Sequence, residues 1–332
     1  MKNVLKGLGS VALAATLVGC TVGGTTTTTS TTTTKTSSSD GSYTVGILQL
    51  VQHDALDAAT QGFKDALTEE LGDAVTFDEQ NASGETATCA TIANQFVTEG
   101  VDLILANATA SLQASAAATS DIPILGTAVT DYATALDIDD WTGTVGGNIS
   151  GTSDLAPLDQ QAALFTELLP DAKKIGLLYC SAEPNSKYQA DVITEYLEDA
   201  GFEVSEYPFA DSNDIQSVTT TACNEVDAIY IPTDNTAANN TELINNVAEP
   251  AGVPIIAGEE GICSGCGIAT LSISYYDLGY KTGEMAAKIL TGEEDISTMA
   301  VESAEATTKE YVQSRADKLG VEIPDDYTAI EE

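Results

Sequence analysis

The stretch YTVGILQLVQHDALDAATQGFKDALTEELGDAVTFDEQ (43–80) decides the fold. It opens on a short β-branched apolar run, VGILQL (45–50), and closes on another, AVTFDEQ (74–80). Between them, in ALDAATQGFKDALTEEL (55–71), Leu56, Ala59, Phe63, Ala66 and Leu67 recur at helical spacing and share one face. Strand, helix and strand in that order predict neighbouring parallel strands covered by helices.

The alternation continues outward. Helices are expected over 85–100, 111–119, 159–170, 186–201, 214–225, 241–252 and 276–292, and strands over 102–108, 122–129, 142–150, 173–180, 202–209, 226–234, 253–260 and 268–274. The pattern runs twice. GFKDALTEELGDAVTFDEQ resembles ITEYLEDAGFEVSEYPF, and TEGVDLILANAT resembles CNEVDAIYIPTD. The expectation is an α/β chain of two similar Rossmann-like, doubly wound lobes with parallel sheets, with a hinge around 150–154.

Composition narrows the function. With 51 acidic against 12 basic residues the net charge is −39, which opposes binding to nucleic acid and docking on anionic lipid. Solubility in a salty medium is the plainer reading of that excess than an acidic functional surface. The start, MKNVLKGLGSVALAATLVGC (1–20), has Lys2 and Lys6 ahead of a short apolar run, the order of a secretory signal. Its end resembles the bacterial lipobox, which implies lipidation of Cys20; an ordinary signal with an incidental Cys is the alternative. Residues 21–42 are rich in Thr, Ser and Gly and read as a disordered tether. The expected location is outside the cytoplasm, held to a bacterial cell membrane by lipid.

Five further cysteines are Cys89, Cys180, Cys223, Cys263 and Cys266. An odd count leaves at least one free or paired between chains. Cys263 and Cys266 form one C-x-x-C, expected as a local loop disulfide, with free thiols the alternative. No second C-x-x-C accompanies it, so no zinc site is expected. The first strand-to-helix turn lacks the glycines of a dinucleotide fingerprint, and no Walker A motif occurs, so no cofactor is expected.

Ligands of parallel α/β sheets bind beyond the carboxyl ends of the strands. That rule selects the polar turns 49–54, 107–111, 126–131, 181–186, 232–236 and 258–260, including Gln49, Asp131, Asn235 and Glu259. His53, the only histidine, lies in the first of them. It has no second base, nucleophile or metal partner in view, so it is expected, with Gln49, as a ligand or closure contact rather than a general base. Asp54, three residues before Asp57, is expected to cap the helix.

QHDALDAATQGF, NATASLQ, GTAVTD, GTSD, YCSAEPNS, IPTDNT and ATLSISYYDLGYKTGEMA, in that order over 43–315, resemble the type I solute-binding lipoproteins of ABC importers. More narrowly they resemble the subfamily whose characterised members bind tryptophan or other aromatic amino acids. The C-x-x-C before ATLSIS departs from that pattern. The resemblance implies an N-terminal lobe of 43–150 plus about 270–297, a C-terminal lobe of 151–269 plus about 298–332, and a multi-strand hinge. It implies permease and ATPase partners and no catalysis. It places Asn107, Thr109, Ser111 and Thr127 on a ligand carboxylate, and Asp234 on its ammonium, with helix capping the alternative for Asp234. Asn185 and Ser186 open the next helix, where capping explains Ser186 as well as binding does. Tyr275 is expected to stack on an aromatic ligand, and Trp141 to be rim or core. A sensor lipoprotein of the same fold and an exported carboxylate-based hydrolase are the competing readings.

Overall fold

The computed structural model describes residues 41–304 and 306–331. The expectations for Cys20, the signal and all but the last two tether residues lie outside them. Among the described residues no helix is long and apolar enough to cross a membrane.

The first run forms β1 (Tyr43–Gln49), α1 (Asp54–Leu71), β2 (Val75–Asn81), α2 (Thr86–Glu99), β3 (Leu103–Asn107), α3 (Thr109–Ala118), β4 (Ile124–Val129), α4 (Tyr132–Leu136) and β5 (Ile149–Ser153). The second forms α5 (Leu158–Leu168), β6 (Lys174–Cys180), α6 (Pro184–Asp199), β7 (Glu203–Phe209), α7 (Ile215–Glu225), β8 (Ala228–Ile231), α8 (Asn235–Ala238), α9 (Thr241–Ala251), β9 (Ile255–Ala257), α10 (Glu260–Cys266) and β10 (Ala269–Ser272). The chain then adds α11 (Tyr275–Thr291), β11 (Glu302–Ser303), β12 (Thr308–Tyr311), α12 (Gln313–Leu319) and β13 (Thr328–Ala329).

These make two sheets, ordered β11-β5-β4-β3-β1-β2 in the first lobe and β13-β12-β10-β9-β8-β6-β7 in the second. Every pairing is parallel except β10 with β12. Side chains alternate across the first sheet: Leu48, Ile104 and Ala106 enter one apolar layer, and Val45, Ile47, Leu103 and Leu105 the other. Both layers are dry, which is why these strands read as continuous apolar runs. The second lobe repeats the arrangement, with Ile229 and Ile231 on one face and Ala228 and Tyr230 on the other.

The chain crosses between lobes after β5, between β10 and α11, and between β11 and β12. The boundaries expected near 150, 270 and 297 therefore move. β5 belongs to the first sheet through Ser153, β10 to the second, and β11 pairs with β5 in the first. The piece expected to be extended over 142–150 becomes strand only at Ile149, because Gly143, Gly146 and Gly147 turn through left-handed backbone at φ 89°, 82° and 61°.

Helix α11 returns to the first lobe by packing on α1 at glycine contacts. A Cβ on Gly279 would sit 1.9 Å from the Ala59 carbonyl oxygen, and one on Gly62 would sit 2.1 Å from that of Tyr276. Only bare backbone permits that approach, and it fixes the start of α11, with Tyr275, at the interlobe edge.

Candidate functional site

The turns at the carboxyl ends of the strands meet between the lobes. His53, Ala128, Thr130, Asp154 and Tyr275, from the first lobe and its hinge, face Asn185, Thr233, Asp234, Asn235 and Glu259 from the second. The space they enclose holds little more than a water molecule, so the lobes are closed on one another. Direct contacts cross it. His53 Nε2 lies 3.2 Å from Asn235 Oδ1, the Thr130 and Thr233 hydroxyls lie 3.4 Å apart, and Gln189 Nε2 donates to both hydroxyls.

The second-lobe wall is bonded within itself. Asp234 Oδ2 accepts from the Cys180 N–H at 2.6 Å and Oδ1 from the Ala237 N–H at 2.7 Å. Capping of α8, the alternative expected for Asp234, and bracing of β6 thus engage both oxygens, while the residue also lines the enclosed space. Burial, then the charge of Glu183, raise its pKa. Glu259 caps α10 by accepting from the Gly261 and Ile262 N–H groups, and burial pushes its pKa up to about 7. Asn185 Nδ2 donates to the Thr233 carbonyl at 3.0 Å. Ser186 is fully buried behind this wall, within reach of Asp234, and is not part of the lining.

Asp154 is different. It is 4% exposed and lines the enclosed space. Its Oδ2 accepts from the Tyr275 hydroxyl at 2.9 Å, and its Oδ1 has no hydrogen-bond partner. Burial raises its pKa, and the Tyr275 and Thr130 hydroxyls temper the rise. An unmet carboxylate oxygen in a dry site costs free energy that a cationic donor would recover. Tyr275 was expected for stacking. The residue lines the space, and its hydroxyl orients Asp154.

The other first-lobe expectations are placed behind the wall. Gln49 is spent internally: Nε2 donates to the Val51 carbonyl and Asp57 Oδ1, and Oε1 accepts from Thr60. Asn107 Nδ2 donates to the Leu56 carbonyl and to Thr60, pinning α1 to the ends of β1 and β3. Thr127 joins a buried hydroxyl chain with Thr152 and Thr282. Thr109 and Ser111, in the first turn of α3, are buried outside the lining. Asp131 caps α4 by accepting from the Thr134 N–H at 2.7 Å. Trp141 is 38% exposed and stacks on Tyr132, away from the cleft.

Two helix starts differ from expectation. Asp54 is already inside α1, and His53 holds the cap position on extended backbone without a side-chain cap bond. That frees its ring to cross the cleft. The C-x-x-C lies on α10 rather than in a loop, and both thiols are free. Glu259 nucleates that helix, and the Cys266 thiol donates to the Ile262 carbonyl, so the expected disulfide is not formed.

Backbone strain marks the site as well. Ala108 follows β3 at φ 88° and Ala128 sits in the irregular end of β4 at φ 51°, a region costing non-glycine residues about 1–3 kcal/mol. Such strain persists where a turn is held for use, and alanine codes give no sign of it.

The profile of the ABC transporter substrate binding protein family matches residues 44–330. A tyrosine-binding protein of Clostridioides difficile (strain R20291) is 39% identical over 271 residues, 80% of this chain and 78% of that protein. An ABC domain from Streptococcus pneumonia, solved in complex with L-Trp, is 34% identical with a TM-score of 0.82, over 86% of this chain and 96% of that one. A substrate-binding protein with adhesive properties from Clostridium difficile, in its ligand-free, open form, is 37% identical. Its TM-score is 0.68, over 87% of this chain and 99% of that one. At near-equal identity the higher score goes to the ligand-bound neighbour, in keeping with closed lobes here. With this match across its two lobes, the chain belongs to the ABC transporter substrate binding protein family.

Proposed function

We propose that this protein is an extracytoplasmic lipoprotein, anchored through Cys20, that closes on an aromatic α-amino acid and delivers it to a membrane permease and its ATPase. Asp154 carries the ligand half of this reading. Asp154 lines the enclosed space together with Tyr275 and keeps one unpartnered carboxylate oxygen, which suits a ligand with an ammonium next to an aromatic group. The similarity to a tyrosine-binding protein and to a domain in complex with L-Trp supports the same ligand class. The enclosed space is too small for such a ligand, so the lobes open to admit it and close less far around it. Binding without turnover fits the site, because Asp234 and Glu259 hold backbone amides and the one histidine holds the opposite lobe.

A thermal-shift screen of the body from residue 41 against the amino acids tests the ligand. A hundredfold excess over Kd stabilises by about 2.7 kcal/mol, several degrees in melting temperature. L-tyrosine or L-tryptophan is expected to give that shift. A shift only with a non-aromatic solute would refute the ligand class. Loss of membrane association in Cys20→Ser is the expected result for the anchor.

A further inference from the structure

Glu183 has no part in the reading above, yet donors converge on it. Its Oε2 accepts from the Asn235 N–H at 3.0 Å and from Asn235 Nδ2 at 2.8 Å. Its Oε1 accepts from the Thr236 N–H at 2.8 Å and the Thr236 hydroxyl at 2.7 Å. Asn185 Nδ2 adds a longer bond to Oε2 at 3.2 Å. Glu183 immediately precedes α6 and Asn235 opens α8, so one carboxylate joins two turns of the second lobe.

A carboxylate only accepts, so the amide nitrogen of Asn235 must face Glu183; the flipped amide would set two acceptors together. The Asn235 carbonyl oxygen is thereby turned to the other lobe, where His53 Nε2 meets it at 3.2 Å. That oxygen cannot donate, so Nε2 must carry the hydrogen. The latch has a fixed polarity, from His53 Nε2–H to Asn235 Oδ1, and from Asn235 Nδ2–H to Glu183. Neutral and protonated His53 both donate through Nε2, so the polarity does not depend on the histidine's charge.

We propose that Glu183 is the positioning residue for lobe closure: by fixing the Asn235 amide it presents the acceptor that latches His53, and so sets the lifetime of the closed state without touching the solute. The proposal rests on the reading of the protein as one that closes on a small solute.

The test is Glu183→Gln, alone and combined with Asn235→Ala, in stopped-flow release of L-tyrosine and L-tryptophan and in small-angle scattering without ligand. Glu183→Gln is expected to speed release about 3- to 10-fold, with a smaller change in the on-rate, and to raise the radius of gyration. In the Asn235→Ala background Glu183→Gln should add little, because both changes break one chain of bonds. Unchanged release and unchanged scattering in Glu183→Gln, or a full effect that persists in the Asn235→Ala background, would overturn the proposal. If the wild type binds neither amino acid, the ligand reading fails. The scattering comparison then decides the latch: a larger Glu183→Gln particle upholds it, and an equal one refutes it.

Discussion

The two walls of the cleft carry similar groups in opposite states. On the second-lobe wall the buried acids are partnered: Asp234 holds two backbone amides and Glu259 two more, and the half-buried Glu183 behind them holds Asn235 and Thr236. On the hinge side Asp154, equally dry, has one oxygen on Tyr275 and the other without a hydrogen bond of good geometry, with the Thr130 hydroxyl close by. Burial raises the pKa of Asp154, Asp234 and Glu259 alike, so burial does not separate them. Partner count does. A satisfied buried acid is a brace whose loss weakens the fold; an unsatisfied one is a binding group whose loss weakens the ligand.

Substitution should split the walls. Asp154→Asn is expected to weaken L-tyrosine or L-tryptophan binding by about 30-fold or more, since removing one partner of a buried charge pair costs about 2–5 kcal/mol. Its unliganded stability should hold or rise, because an unpaired buried charge is lost. Calorimetry and urea melts read the two quantities. Asp234→Ala should do the reverse. It orphans the Cys180 and Ala237 amides and should lower stability by about 2–4 kcal/mol, seen as a lower urea midpoint. Equal stability losses in both variants would erase the distinction between the walls.

Acidity sharpens the comparison. In the closed structure burial pushes the pKa of Glu259 up to about 7, above the ordinary carboxylate value, so opening that wets this group is expected to release a proton. Its penalty is full above the raised value and fades as the pH falls through it. His53 opposes this at lower pH. Its burial in the closed structure lowers its pKa, so opening that wets the ring is expected to let it take up a proton below the ordinary histidine value. Affinity should therefore increase as the pH drops from 8 to about 6.5, by less than about a decade per unit, and then level or fall. Binding titrations across that range check the turn. The smallest effect is expected from His53→Ala, which removes one neutral interlobe bond. It should cost about 3- to 10-fold in affinity, mostly through faster release in stopped flow.

Much of this architecture was legible in the sequence, and the reason is local. The apolar runs of β1 and β3 and the single apolar face of α1 are short-range patterns, and they predicted two parallel sheets and the turns between their carboxyl ends. The assignment of roles within those turns was not local. Asp154 is oriented by Tyr275, 121 residues away, and His53 meets Asn235 across 182. No spacing rule reaches so far. Thr127 and Asn107 are given a ligand role by the family resemblance; in the fold Thr127 joins hydroxyls beneath α11 and Asn107 Nδ2 is held under α1, with Asn107 Oδ1 left unpartnered. The C-x-x-C looked like a loop because its cap, Glu259, is not among the usual capping residues.

The central claim is that the free oxygen of Asp154 receives the ligand's ammonium. It is tested most directly by a cycle that removes each partner in turn: wild type and Asp154→Asn, each titrated with L-tyrosine and with its deaminated analogue, 3-(4-hydroxyphenyl)propanoate. The wild type should lose about 30-fold or more in affinity when the amine is removed, and Asp154→Asn should lose little further. An equal penalty for the missing amine in both proteins would contradict the claim and send the ammonium elsewhere in the cleft.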